Sequence, residues 1–114
     1  MQVAFIVLNK TGKLDELLQE FMRIGIKGAT IIDSTGMGGL LASSHKEDIP
    51  FFTSIRMMMG DSKPINKTIF SVVEDDQIPK LAEAFEKIVG KISEPNTGII
   101  FTAPVSFVKG GNLT

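Results

Sequence analysis

Apolar residues fill positions Val3 to Leu8 without a break. A run this short and this rich in β-formers predicts a central strand covered on both faces. Asn9 to Gly12 interrupts it, and Thr11 stands where a helix N-cap is wanted. Leu14, Leu17, Leu18, Phe21 and Met22 then recur at i, i+3, i+4, i+7 and i+8, which predicts one apolar helical face. Asp15, Glu16, Gln19, Glu20 and Arg23 take the opposite face. Gly25 occupies the place of a C′ glycine, from which Ile26 can fold back on Phe21.

Ala29 to Ser34 reads as a second strand, ended by a glycine-rich turn at Gly36, Gly38 and Gly39. From Leu40 to Asn66 no clean period is present, and an irregular stretch of that length inside a small domain is commonly functional. The stretch is not uniformly polar. Phe51, Phe52, Met57, Met58 and Met59 form apolar groups that either pack on the domain or a neighbouring subunit, or dock a partner through adaptable methionines. Thr68 to Glu74 is the third predicted strand. Asp76 is placed to cap a second helix, with Pro79 in its first turn and Ile78, Leu81, Ala82, Phe85, Ile88, Val89 and Ile92 on one face. A turn at Ser93 to Gly98 leads into a fourth strand, Gly98 to Thr102. Ala103 to Val108 continues extended as an edge segment, and Lys109 to Thr114 reads as a loose tail.

The order is βαβ, a long loop over 39–64, then βαβ. This predicts an α+β, ferredoxin-like βαββαβ domain spanning 1–114, with a four-stranded antiparallel sheet and two helices on one face. The apolar residues of strands one and three leave the other sheet face in need of cover. No third layer remains in a chain of 114 residues, so a homo-oligomer with facing sheets is expected.

Composition narrows the function. The formal net charge is −1 and the chain has no cysteine. A nucleic-acid partner is not expected without a basic excess, and thiolate metal sites and cysteine nucleophiles are excluded. No apolar run reaches the roughly 18 residues of a membrane span. Met1 to Phe5 lead straight into a strand pattern without a basic region, so a cytoplasmic protein without a signal peptide is expected. His45 has no histidine or cysteine partner and reads as a solvated loop residue rather than a metal ligand. Ser43 and Ser44 beside His45 lack any oxyanion element, so neither catalytic residues nor an enzyme is expected. Glu74, Asp75 and Asp76 read as favourable charge at a helix start. At Thr35, Gly36, Met37, Gly38 and Gly39, backbone amides bared by glycine could approach an anion, or the glycines merely turn the chain.

Several segments together resemble the PII signal-transduction family, the nitrogen regulatory proteins. They are Leu14-Asp15-Glu16-Leu17, Ile24 to Ile31, the Gly36-Met37-Gly38 turn, a segment from Gly39 to Pro64 with the length and place of that family's T-loop, and Gly98 to Val105. The resemblance implies a homotrimeric regulator in nitrogen signalling, not an enzyme. Its effector would be a small molecule, with an adenine nucleotide (ATP, ADP or AMP) as the implied class, bound in clefts between subunits. The 39–64 loop would act on a regulated enzyme or membrane transporter, without inserting into the membrane. Lys109 gains a role from its place near the family's basic C-terminal pair, and joins Thr35 to Gly39 as a ligand-binding candidate. Lys91 is a further candidate phosphate partner.

The chain also departs from the pattern. Gly39-Leu40 stands where nucleotide-binding members carry Arg-Gln, Ile99 stands where they carry lysine, and there is no tyrosine to be modified in the loop. These departures point to a smaller or less charged effector. The alternative is a scaffold or partner-docking trimer of the same fold that binds no nucleotide.

Overall fold

A computed structural model describes residues 1–43 and 65–111. Four strands form one antiparallel sheet: β1 (Gln2–Leu8), β2 (Thr30–Thr35), β3 (Ile65–Val73) and β4 (Gly98–Pro104), in the order β2-β3-β1-β4. Helices α1 (Leu14–Arg23) and α3 (Gln77–Ile88) make the βαβ crossovers and pack against one another. The architecture is the ferredoxin-like one that the order of elements predicts.

The core lies between the helices and one sheet face. Ala4, Ile6 and Leu8 of β1, Ile69 of β3, Leu17 of α1, and Leu81 and Phe85 of α3 have no exposed surface. The alternating residues Val3, Phe5 and Val7 remain half-buried. β1 is therefore covered on one face within the protomer, rather than on both.

Local chemistry explains the ends of α1. Gly25 takes φ +98°, Gly25 N–H donates to Met22 O at 3.1 Å, and Ile26 N–H donates to Phe21 O at 2.8 Å. This is the Schellman stop that Gly25 and Ile26 predict. At the other end, Thr11 does not cap the helix: Thr11–Lys13 forms a 3-10 turn that feeds directly into α1, and the N-cap residue is Lys13, with no side-chain cap.

Two residues of α1 exchange the faces that the periodicity assigns them. Met22 is 68% exposed and Glu20 only 8%. At ~100° per residue, Met22 lies about 140° around the helix from Leu17, off the buried stripe. Glu20 faces α3, where it meets Lys87 at 3.3 Å and pairs also with Arg23. The Arg23 hydrogen bond, with Lys87 assisting, holds the Glu20 carboxyl down from its ordinary 4.5 to about 2.

Two boundaries also move. β3 begins at Ile65, three residues before the predicted strand. The chain after β2 is helical: α2 spans Met37–Ser43, so Gly38 and Gly39 lie in a helix rather than in a glycine-rich turn, and Leu40 to Ser43 are not irregular. The start of α3 departs too. Asp76 holds the N-cap position without a side-chain hydrogen bond, and Gln77 Oε1 instead accepts from Glu74 N–H at 2.8 Å.

Candidate functional site

The predicted glycine site sits where β2 passes into α2. Leu40 N–H donates to Gly36 O at 2.9 Å, which fixes Gly36 as the junction. None of Gly36, Gly38 and Gly39 adopts a positive φ. The glycine at 36 answers instead to close packing: a Cβ there would stand 3.3 Å from Asn66 Nδ2. A Cβ on Gly38 would meet nothing within 4 Å among the described residues. These glycines therefore belong to a strand-to-helix junction seated on Asn66.

Beneath this junction, polar side chains run across three strand ends. Ser34 pairs with Asn66 in the β2–β3 register. Ser34 Oγ–H donates to Asn66 Oδ1, and its oxygen lies 2.7 Å from Thr68 Oγ1. Asn66 Nδ2 donates to Asn9 Oδ1 at 3.3 Å, beyond the end of β1. Asn9 N–H in turn reaches Thr97 O at 3.1 Å, just before β4. Asn66 is only 8% exposed. Neither Asn9 nor Asn66 stands out in the sequence, where both read as breaks between periodic segments. A signal was nonetheless present: polar residues flanking the strands at both termini of one irregular segment.

The second half of the site lies at the opposite end of β2. A cavity of about 710 Å³ opens between Gly25–Thr30, Phe70–Glu74, Gln77 and the tail Val108–Gly111. Its volume is that of a small-molecule pocket. Its wall is pinned by Gln77 Nε2, which donates to Gly25 O at 3.3 Å, and by Ser71 Oγ, which donates to Gly28 O. Lys27, Lys109 and Glu74 bring charge to a lining that mixes apolar residues with Thr30, Ser71 and Gln77. The tail turns against it through Gly110 and Gly111, both in the left-handed region at φ +96° and +73°.

The structure therefore separates the predicted ligand residues. Lys109 lines the cavity at the start of β2, whereas Thr35 to Gly39 lie at its far end. The five steps from Thr30 to Thr35 span about 17 Å. One protomer does not bring the two groups together.

Between them runs the sheet face that the helices leave open. Phe5 stacks on Phe101 with centroids 5.0 Å apart, and tilts against Phe70 at 6.2 Å. Ile32, Ile99 and Phe101 stay 48%, 54% and 49% exposed. Ile99 opposes Val7 and Ile32 opposes Thr68 in register, which places them on this same face. A continuous apolar surface of this kind marks an interaction site. Lys91 lies exposed beyond α3. Phe51, Phe52, Met57, Met58, Met59, Ser44 and His45 fall outside the described residues. Among the described residues no helix is long and apolar enough to cross a membrane.

The family model described as nitrogen regulatory protein P-II matches residues 3–110. A comparison with the curated proteins gives no match.

Proposed function

The chain belongs to the nitrogen regulatory protein P-II family, and from this we propose that it is a homotrimeric signalling protein that binds a small effector in clefts between protomers. The observation that carries the reading is the split site. The glycine junction and the Lys109 cavity stand at opposite ends of β2, with the uncovered Phe5–Phe70–Phe101 face between them. In the proposed trimer, sheet faces meet around a threefold axis in the arrangement that would set the junction of one protomer against the cavity of its neighbour. Thr35 to Gly39 then contact the effector from one side and Lys109 from the other.

The proposed effector class is an adenine nucleotide, whose base suits the Phe70 and Val72 wall and whose phosphate suits Lys109. Its differential affinity for two arrangements of the 39–64 segment would regulate a partner enzyme or transporter, through Phe51, Phe52 and Met57 to Met59. A cytoplasmic location and the absence of catalysis belong to the same proposal.

Thermal unfolding with AMP, ADP and ATP tests it. Binding raises the midpoint progressively with nucleotide concentration, by the equivalent of about 2.7 kcal/mol at a hundred times Kd, and Lys109→Ala reduces the rise. Stabilisation by none of the three nucleotides would favour the second reading, a scaffold that docks a partner without an effector. Gly39 and the exposed apolar Ile99, standing where nucleotide-binding relatives are expected to carry arginine and lysine, support that alternative.

A further inference from the structure

We propose that Asn66 is a positioning residue that locks the glycine junction to the end of β1 and so sets the geometry of the effector cleft. The proposal rests on the reading of that junction as half of a ligand site. It starts from proton counting. Ser34 has one hydroxyl proton and gives it to Asn66 Oδ1. The 2.7 Å contact between Ser34 and Thr68 then requires Thr68 to be the donor. With its oxygen engaged, Asn66 presents its amide group to Asn9 Oδ1.

The result is a one-way chain, Thr68 to Ser34 to Asn66 to Asn9, in which each proton is directed by the one before. It crosses β3, β2 and the end of β1 on the open sheet face. It closes off the apolar surface of Phe5, Phe70 and Phe101 with a polar row.

Two further observations place Asn66 at the centre of this chain. It is nine-tenths buried although fully polar, so its amide must be paired within the fold. Its Nδ2 also lies directly under Gly36, where any side chain would press on it. The amide thus fixes the height of Gly36 over the sheet, and with it the backbone of Thr35 to Met37. Asn66 also follows residues 44–64 closely in the chain, and Gly36 immediately precedes α2, which leads into them. One side chain thus touches the backbone on both flanks of residues 37–65.

Hydrogen exchange followed by mass spectrometry tests this on the intact trimer or monomer, without ligand. Asn66→Ala is expected to speed exchange at residues 35–41 and 9–11 by tenfold or more, while β1 and β4 amides keep their protection. Asn66→Asp retains the acceptor for Ser34 but loses the donor to Asn9, so only 9–11 should loosen. Phe85→Leu, in the core on the other side of the sheet, serves as a comparison of general destabilisation and should not select these segments. Unchanged exchange at 35–41 in Asn66→Ala overturns the proposal, as does a uniform loss of protection equal to that of Phe85→Leu. Titration with ADP supplies a separate arm, in which Asn66→Ala should weaken binding about tenfold. If the unsubstituted protein binds none of AMP, ADP and ATP, the effector reading fails while the exchange result still decides the role of Asn66.

Discussion

Gly98 opens β4 at φ +153°, opposite Leu8 in the β1–β4 register. A Cβ built there would overlap the carbonyl oxygen of Val7 and stand 3.1 Å from Phe85 Cζ. Neither neighbour can retreat cheaply. The Val7 carbonyl belongs to the central strand, and the Phe85 ring is fully buried. Gly98→Ala therefore incurs two costs. The backbone conformation is one that side chains rarely adopt, worth about 1–3 kcal/mol. Forcing a methyl group into packed surroundings adds about 1–3 kcal/mol. Their sum, roughly 4 kcal/mol, is a large part of the stability of a small domain. Urea unfolding is the assay. With a slope near ~2 kcal/mol per molar, the midpoint should fall by about 2 M while the slope stays constant. Gly12→Ala is the control, since its Cβ would meet nothing within 4 Å, and its midpoint should barely move. A Gly98→Ala midpoint within about 0.3 M of the parent would refute the reasoning, because it would mean that the start of β4 relaxes freely.

Other substitutions address separate features. Thr97 Oγ1 is buried without a hydrogen-bond partner among the described residues, so the near-isosteric Thr97→Val should raise the unfolding free energy by about 1 kcal/mol or more; a lower midpoint in urea would show that the hydroxyl is satisfied. Glu20, with its carboxyl held at about 2 by Arg23 and Lys87, contributes stability that is complete above its ordinary 4.5. That contribution is lost as pH falls from there through 2, so stability measured across this window should drop more steeply in the parent than in Glu20→Gln. Gly38→Ala places a methyl group in open space on α2 and should stabilise slightly, by about 0.5–1 kcal/mol; loss of stability would argue against a helix at that position. Phe101→Asp puts a charge into the stacked aromatic face and should yield folded monomers by sedimentation; a retained trimer would remove this face from the interface.

Much of the fold was legible because hydrophobic periodicity and stop signals reinforce one another. In α1, Gly25 and Ile26 marked the end correctly because the Schellman bonds depend on local residues alone. Glu20 was misassigned for the opposite reason: it faces α3, where it meets Lys87, which is distant in the chain. Met22 was misassigned because its angle on the helix carries it off the buried stripe. The glycine stretch shows the same limit. Gly36 reads as a turn former, yet its lack of a side chain serves Asn66, thirty residues later. Met37 to Ser43 lacks the polar face that would have announced a helix. Lys109, a ligand-binding candidate by resemblance, lines the cavity, but its separation from Thr35 to Gly39 is a property of strand order, which no local pattern carries. The cavity wall made by Gln77 and Ser71 was likewise invisible, since each acts by bonding a carbonyl more than forty residues away.

Native mass spectrometry of the purified protein, with and without ADP, tests the split cleft most directly. A trimer that takes up as many as three nucleotides is the expected result, because each cleft needs the glycine junction of one protomer and the Lys109 cavity of another. A monomer, with or without bound nucleotide, would contradict it: the open Phe5–Phe70–Phe101 face would then have no second copy to meet, and the two halves of the site would remain about 17 Å apart.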